Sequence, residues 1–179
     1  NGKIEETPDI VVVEYPLNIY INGSKLITLL CTPRSLDCLS LGYLLSEQII
    51  KTKSDLKDIN IDEEEGIADI WVEGNNLEKR LLKGKGTLTT GYGGGTLLYN
   101  LYKTLPDDLK ENKIVVSYKK IIKSMKEFAD YSEVFKSTGG VHSAALSDGK
   151  KILVFHEDVG RHNALDKVLG EAFLKDIDI

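Results

Sequence analysis

The segment Ser137–Lys167, STGGVHSAALSDGKKILVFHEDVGRHNALDK, decides how this chain reads. Val141–Ser147 and Lys151–Phe155 are short extended runs, and Asp148-Gly149 between them suits a tight turn because both residues tolerate positive φ. A β-hairpin is the expected result. Thr138-Gly139-Gly140-Val141-His142 leads into its first strand, and His156-Glu157-Asp158-Val159-Gly160-Arg161-His162-Asn163 joins its second strand to a helix. That helix follows from the spacing of Ala164, Leu165, Val168, Leu169, Ala172 and Phe173, and it ends near Lys175. Core packing alone does not account for the glycines, histidines, acids and arginine gathered in the two connections.

Working outward, Tyr118–Tyr131 reads as a helix with Ile121, Ile122, Met125, Phe128 and Ala129 on one face. A helix, a hairpin and a further helix make only part of an α/β layer. They predict additional strands, supplied by another chain or by sequence beyond Ile179. The polar, proline-containing Lys103–Lys113 separates this part from what precedes it. Two portions are therefore expected: a β-rich one over residues 1–105, with one helix and a glycine loop, and an α/β one over residues 106–179.

In the first portion Ile10–Tyr15 and Leu17–Ile21 read as extended, with Pro16 between them. Asn22-Gly23 is a hairpin turn signal and Lys25–Cys31 the partner strand. Thr32-Pro33 resembles a helix start, with a capping hydroxyl and a proline at the first helical position. Leu36, Leu39, Tyr43, Leu44 and Ile50 then keep rough helical spacing. Ile67–Glu73 and Leu77–Leu82 flank Gly74-Asn75-Asn76, a second hairpin reading. The fold class expected is α/β in the α+β sense.

Hydrophobic residues make up 41% and charged residues 28%, as in ordinary globular proteins, and no apolar run is long enough for a membrane span. A net charge of −5 argues against a nucleic-acid surface, although Lys79, Arg80, Lys83 and Lys85 cluster locally. Cys31 and Cys38 supply neither a disulfide framework nor a zinc cage, so no metal is expected and a reducing cytoplasm is the expected compartment. Each thiol reads as a small core hydrophobe. Gly91-Tyr92-Gly93-Gly94-Gly95 is a loop without the Gly-Lys-Ser/Thr ending of a phosphate-binding P-loop.

Candidate ligand-contacting residues fall in the two connections. Thr138, Gly139, Gly140 and His142 offer a close backbone approach with N–H groups for an anion, or alternatively a helix C-cap and strand entry. Glu157, Asp158, Gly160, Arg161, His162 and Asn163 lie where a strand ends and a helix begins, the usual ligand position in open α/β sheets. Arg161 suits a phosphate or a base, the acids suit guanine or ribose donors, and His162 suits a donor or proton carrier. The alternative is that Asp158 or Asn163 caps the helix while Arg161 and Glu157 form surface ion pairs.

On TGGVHSAA at Thr138–Ala145 and HEDVGRHNALDK at His156–Lys167, the chain resembles the FdhD family of accessory sulfur carriers for formate dehydrogenase. YLLSEQII at Tyr43–Ile50 is similar to a family helix, and the likeness runs through about residues 10–175. It implies a small β-rich subdomain joined to a cytidine-deaminase-like domain, incomplete here, and a cytoplasmic homodimer. It also implies sulfur received as a persulfide from a cysteine desulfurase and passed to the bis-molybdopterin guanine dinucleotide form of the molybdenum cofactor. The residues from Thr138 to His142 and from Glu157 to Asn163 would then contact that cofactor. Where the family loop reads T-x-G-C-G-x-C-G or T-x-G-C-G-G-G, this chain has Tyr92 at the persulfide position and Gly95 at the second cysteine position. A phenol carries no sulfane sulfur, so no catalytic residue is assigned and a non-catalytic cofactor-binding member is the alternative. The deaminase reaction itself is not expected, because neither cysteine belongs to a Pro-Cys-x-x-Cys pair.

Overall fold

The computed structural model describes residues 6–73, 86–88 and 115–177. The glycine run with Tyr92, the expected strand Leu77–Leu82 and the boundary between residues 105 and 106 lie outside the described residues.

Strand β1 (Tyr15–Ile21) and β2 (Ser24–Cys31) form an antiparallel hairpin through Asn22-Gly23, whose φ values of 48° and 77° supply the left-handed pair the turn requires. Pro16 sits inside β1, and residues 6–14 carry no strand. Helix α1 (Leu36–Ser46) follows, then β3 (Leu56–Asp62), β4 (Ile67–Val72) and the short β5 (Gly86–Leu88). They build a five-stranded sheet in the order β3-β4-β1-β2-β5. β1 runs parallel to β4, and β2 runs parallel to β5. Leu17, Ile19 and Ile21 alternate inward from β1 and meet Leu39 and Leu44 of α1 in one core.

Helix α1 starts later than the Thr32-Pro33 signal suggests. Thr32 is held by tertiary hydrogen bonds, and its position before Pro33 also disfavours helical dihedrals. Ser35, in the left-handed region at φ 51°, turns the chain into the helix instead. Buried residues lie almost all round α1, because it is covered by the sheet on one side and by the helix Arg161–Leu174 on the other.

The remaining elements are α2 (Tyr118–Tyr131), the short α3 (Glu133–Thr138), the antiparallel pair β6 (His142–Ser147) and β7 (Ile152–Asp158), and α4 (Arg161–Leu174). Mixed α and β content matches the expected class. α2 spans the expected residues and opens on Ser117, whose side chain accepts from the Lys120 N–H. Its apolar face is only partly covered: Phe128 meets Phe155 edge-on at 5.3 Å, whereas Ile121, Ile122 and Met125 are exposed.

Across the expected division of the chain, α1 and α4 cross with their backbones in contact. A Cβ placed on Gly42 would stand 1.8 Å from the carbonyl oxygen of Asp166, and one on Gly170 would stand 1.9 Å from that of Cys38. Glycine at these two helical positions lets the main chains touch. No helix among the described residues is long and apolar enough to cross a membrane.

Candidate functional site

Antiparallel pairing sets His142 opposite Asp158 and Ser143 opposite Glu157. The two sequence motifs, distant along the chain, therefore meet at one end of the β6–β7 pair. β7 runs on to Asp158, and Arg161, His162 and Asn163 form the first turn of α4 rather than a loop.

Asp158 is fully buried and holds that junction together. Its carboxylate accepts from the backbone N–H groups of Thr32 (3.0 Å) and Gly160 (2.8 Å) and from Asn163 Nδ2 (2.9 Å), and it pairs with Lys167 Nζ at 2.6 Å. Lys167, equally buried, donates to the Thr32 carbonyl at 3.0 Å, while the Val159 N–H donates to Thr32 Oγ1. Asn163 Nδ2 also reaches the Leu30 carbonyl at 2.8 Å. Asp158 and Asn163, read from sequence as ligand contacts, thus spend their polar atoms fastening α4 to the end of β2. The alternative of a side-chain cap is also not realised, since Gly160 is the N-cap and no side chain caps α4.

Glu157 is engaged as well. It accepts from the Val134 and Phe135 N–H groups, each at 2.9 Å, so it caps the start of α3. Thr138 Oγ1 donates to the Val134 carbonyl at 2.8 Å, and Gly139, at φ 63°, ends α3 by donating its N–H to the Phe135 carbonyl. Gly140 packs against Val12 and donates to Thr138 Oγ1. The C-cap reading of the paired glycines describes this geometry.

Three candidates keep free side chains. Arg161 and His142 are exposed and His162 half-buried, and none makes a side-chain hydrogen bond or ion pair among the described residues. His142 borders an apolar cavity of about 470 Å³ with Met125, Phe128 and Phe135. A second, more polar cleft of about 180 Å³ opens beside Thr32, where Arg34, Ser35, Glu133, His156 and Glu157 line it. Sequence reasoning missed Arg34, which no motif marks. It also missed Lys167, whose burial depends on a partner far away in the chain.

His156, two residues before Asp158 on the same face of β7, bonds Glu171 of α4. Burial pulls the imidazole below its ordinary value and outweighs the neighbouring Glu171 carboxylate, which favours the neutral ring. Burial raises the Glu171 carboxyl, but Lys175 and His156 together carry it below its usual range. Cys38 of α1 stands beside this couple. Both cysteines are core residues, and burial pushes each thiol up to about 12.

The family model described as the FdhD/NarQ family matches residues 12–179. A protein named sulfur carrier protein FdhD from Bacillus subtilis (strain 168) is 35% identical over 99% of this chain and 68% of its own length. The protein of that name from Geobacillus kaustophilus is 36% identical over 95% of the chain and 65% of its own length. The chain thus spans about two thirds of such relatives. A crystal structure described as a formate dehydrogenase accessory protein from Desulfotalea psychrophila superposes with a TM-score of 0.64 at 23% identity, over 96% of this chain and 63% of that one. That likeness establishes the fold.

Proposed function

The chain belongs to the FdhD/NarQ family, and from that premise we propose that it acts in formate dehydrogenase maturation as a sulfur carrier. In this reading it takes sulfur from a cysteine desulfurase, as a cytoplasmic homodimer. It passes that sulfur to the bis-molybdopterin guanine dinucleotide form of the molybdenum cofactor, its substrate. The observation that supports the reading is the register that sets His142 opposite Asp158, with Arg161 and His162 unpaired at the same end of β6–β7. A guanidinium and an imidazole in the first turn of a helix suit a phosphate, and the helix dipole adds to the attraction. The internal bonds of Asp158, Glu157 and Asn163 give them the role of holding that surface in place.

Equilibrium binding of guanosine diphosphate tests the assignment. Arg161→Ala and His162→Ala are each expected to weaken binding by about tenfold, the value of one charge-assisted hydrogen bond. Unchanged affinity in both removes this surface from the reading.

A second reading is favoured by Tyr92 and by the burial of both thiols. In it the chain binds the cofactor without carrying sulfur. Labelled sulfur supplied by a desulfurase, followed by mass spectrometry, separates the two. Label on Cys31 or Cys38 supports the carrier, and intact nucleotide binding with no label supports the second reading.

A further inference from the structure

We propose that Cys38, His156 and Glu171 form a binding site for a divalent transition-metal ion of the Zn²⁺ type, with one coordination position left open. One sulfur, one imidazole nitrogen and one carboxylate oxygen from these residues all lie within 4.8 Å of one another. They come from three different elements, α1, β7 and α4. Thiolate, imidazole and carboxylate are the donors that borderline divalent cations take, and three protein ligands with a vacant fourth position is the pattern of reactive zinc centres.

Rigidity supports the assignment. The Gly170–Cys38 backbone contact fixes α1 against α4 within one residue of Glu171 and at Cys38 itself. The hydrogen bond between His156 and Glu171 already sets the ring. Bonds of roughly 2.0 Å to nitrogen and oxygen and about 2.3 Å to sulfur require donor separations near 3.5 Å, so a small side-chain adjustment, in which the hydrogen-bonded His156 and Glu171 atoms part, admits the ion. On binding, the cation replaces the Cys38 thiol proton, which leaves to solvent, and the proton between His156 Nε2 and Glu171 Oε2, which passes to His156 Nδ1 so that the ring stays neutral.

Charge and access agree. Glu171 and nearby Asp37 are acidic, and the buried Lys167 ammonium close by is neutralised by Asp158. Lys175 occupies Glu171 Oε1, so the cation takes Glu171 Oε2 by replacing its hydrogen bond to His156. The His156 and Glu171 side chains each keep part of their surface open to solvent, which gives an ion a way in. Core packing accounts for a cysteine here and a hydrogen bond accounts for the histidine–glutamate couple. Neither accounts for the thiol, imidazole and carboxylate converging at one place.

Titration of the metal-free full chain with Co²⁺ tests this directly, because a cobalt–thiolate bond produces a near-ultraviolet charge-transfer absorption. The expected result is saturation at one ion per chain, reversal by Zn²⁺, loss of the absorption in Cys38→Ser and retention in Cys31→Ser. His156→Gln and Glu171→Gln, at half-buried positions, are each expected to weaken Co²⁺ binding by at least about tenfold. These two keep the proposal testable if Cys38→Ser fails to fold, as judged by circular dichroism. No absorption in the parent chain, or unaltered affinity in both glutamine variants, overturns it.

Discussion

Lys167 Nζ lies 2.6 Å from Asp158 Oδ2, and both side chains are fully withdrawn from solvent. A buried charge left without its partner has lost both water and its counter-ion, and breaking such pairs costs about 3–5 kcal/mol. Lys167→Met is expected to lower stability by that order, read as a fall in the urea midpoint. The double variant Asp158→Asn/Lys167→Met is expected to recover part of the loss, because no isolated charge remains. Equal losses in the two would mean the pair is not what holds α4 to Thr32.

Gly42 and Gly170 invert the ordinary rule for glycine in helices. In an open helix, glycine-to-alanine raises stability by up to about 1 kcal/mol. Here the added methyl would overlap backbone carbonyls at 1.8 Å and 1.9 Å, and backbone cannot swing aside. Gly42→Ala and Gly170→Ala are therefore expected to destabilise by about 1–3 kcal/mol, the range for overpacked cores. Thermal denaturation with a rise in midpoint for either variant would contradict the α1–α4 contact.

Much of the fold was readable where a local dihedral or a local period carries the signal. Asn22-Gly23 announced its hairpin, and α2 covers Tyr118–Tyr131 as its apolar spacing implied. The reading went astray where distant partners decide. Thr32 has the look of a helix cap, yet Asp158, Lys167 and Val159 hold its backbone and hydroxyl. β3 escaped notice because LKDINID is an edge strand with charges facing solvent, which weakens its hydrophobic alternation. Both motifs of the candidate site meet through the His142–Asp158 register, so their proximity follows from the hairpin legible in sequence. Which members face outward was not legible, because burial of Asp158 is set by residues over a hundred positions away. Cys38, His156 and Glu171 share no spacing pattern at all.

Glu157 and Arg161 sit near each other in sequence but make opposite demands on the fold. Glu157 satisfies two N–H groups at the start of α3, whereas the exposed Arg161 side chain has no partner among the described residues. Glu157→Ala is expected to cost about 1–2 kcal/mol, as loss of a helix cap does. Arg161→Ala is expected to change stability by no more than about 0.5 kcal/mol. Urea unfolding of the two variants side by side checks this. A large loss in Arg161→Ala would show that its side chain serves the fold rather than a ligand.

Asp166 gives the chain a titration that can be read in stability. It sits between α1 and α4, where burial pushes its carboxyl up to about 7; the Ser46 hydroxyl, donating at 2.5 Å, pulls the other way, and Glu47 and Asp158 push it further up. In the unfolded chain the same carboxyl titrates near the ordinary aspartate value of 3.8. Between these two values the folded state holds a proton that the unfolded state has released. The contribution of Asp166 is therefore fully present below about pH 4 and is lost as pH rises toward about 7, at up to about 1.4 kcal/mol per pH unit. Asp166→Asn keeps a neutral amide in place of the acid and removes that slope. Urea midpoints measured from pH 4 to 8 are expected to show the variant gaining on the parent as pH rises, with the gap constant above about 7. Parallel profiles for the two proteins would mean that Asp166 ionises normally and that the α1–α4 contact is open to water at that point.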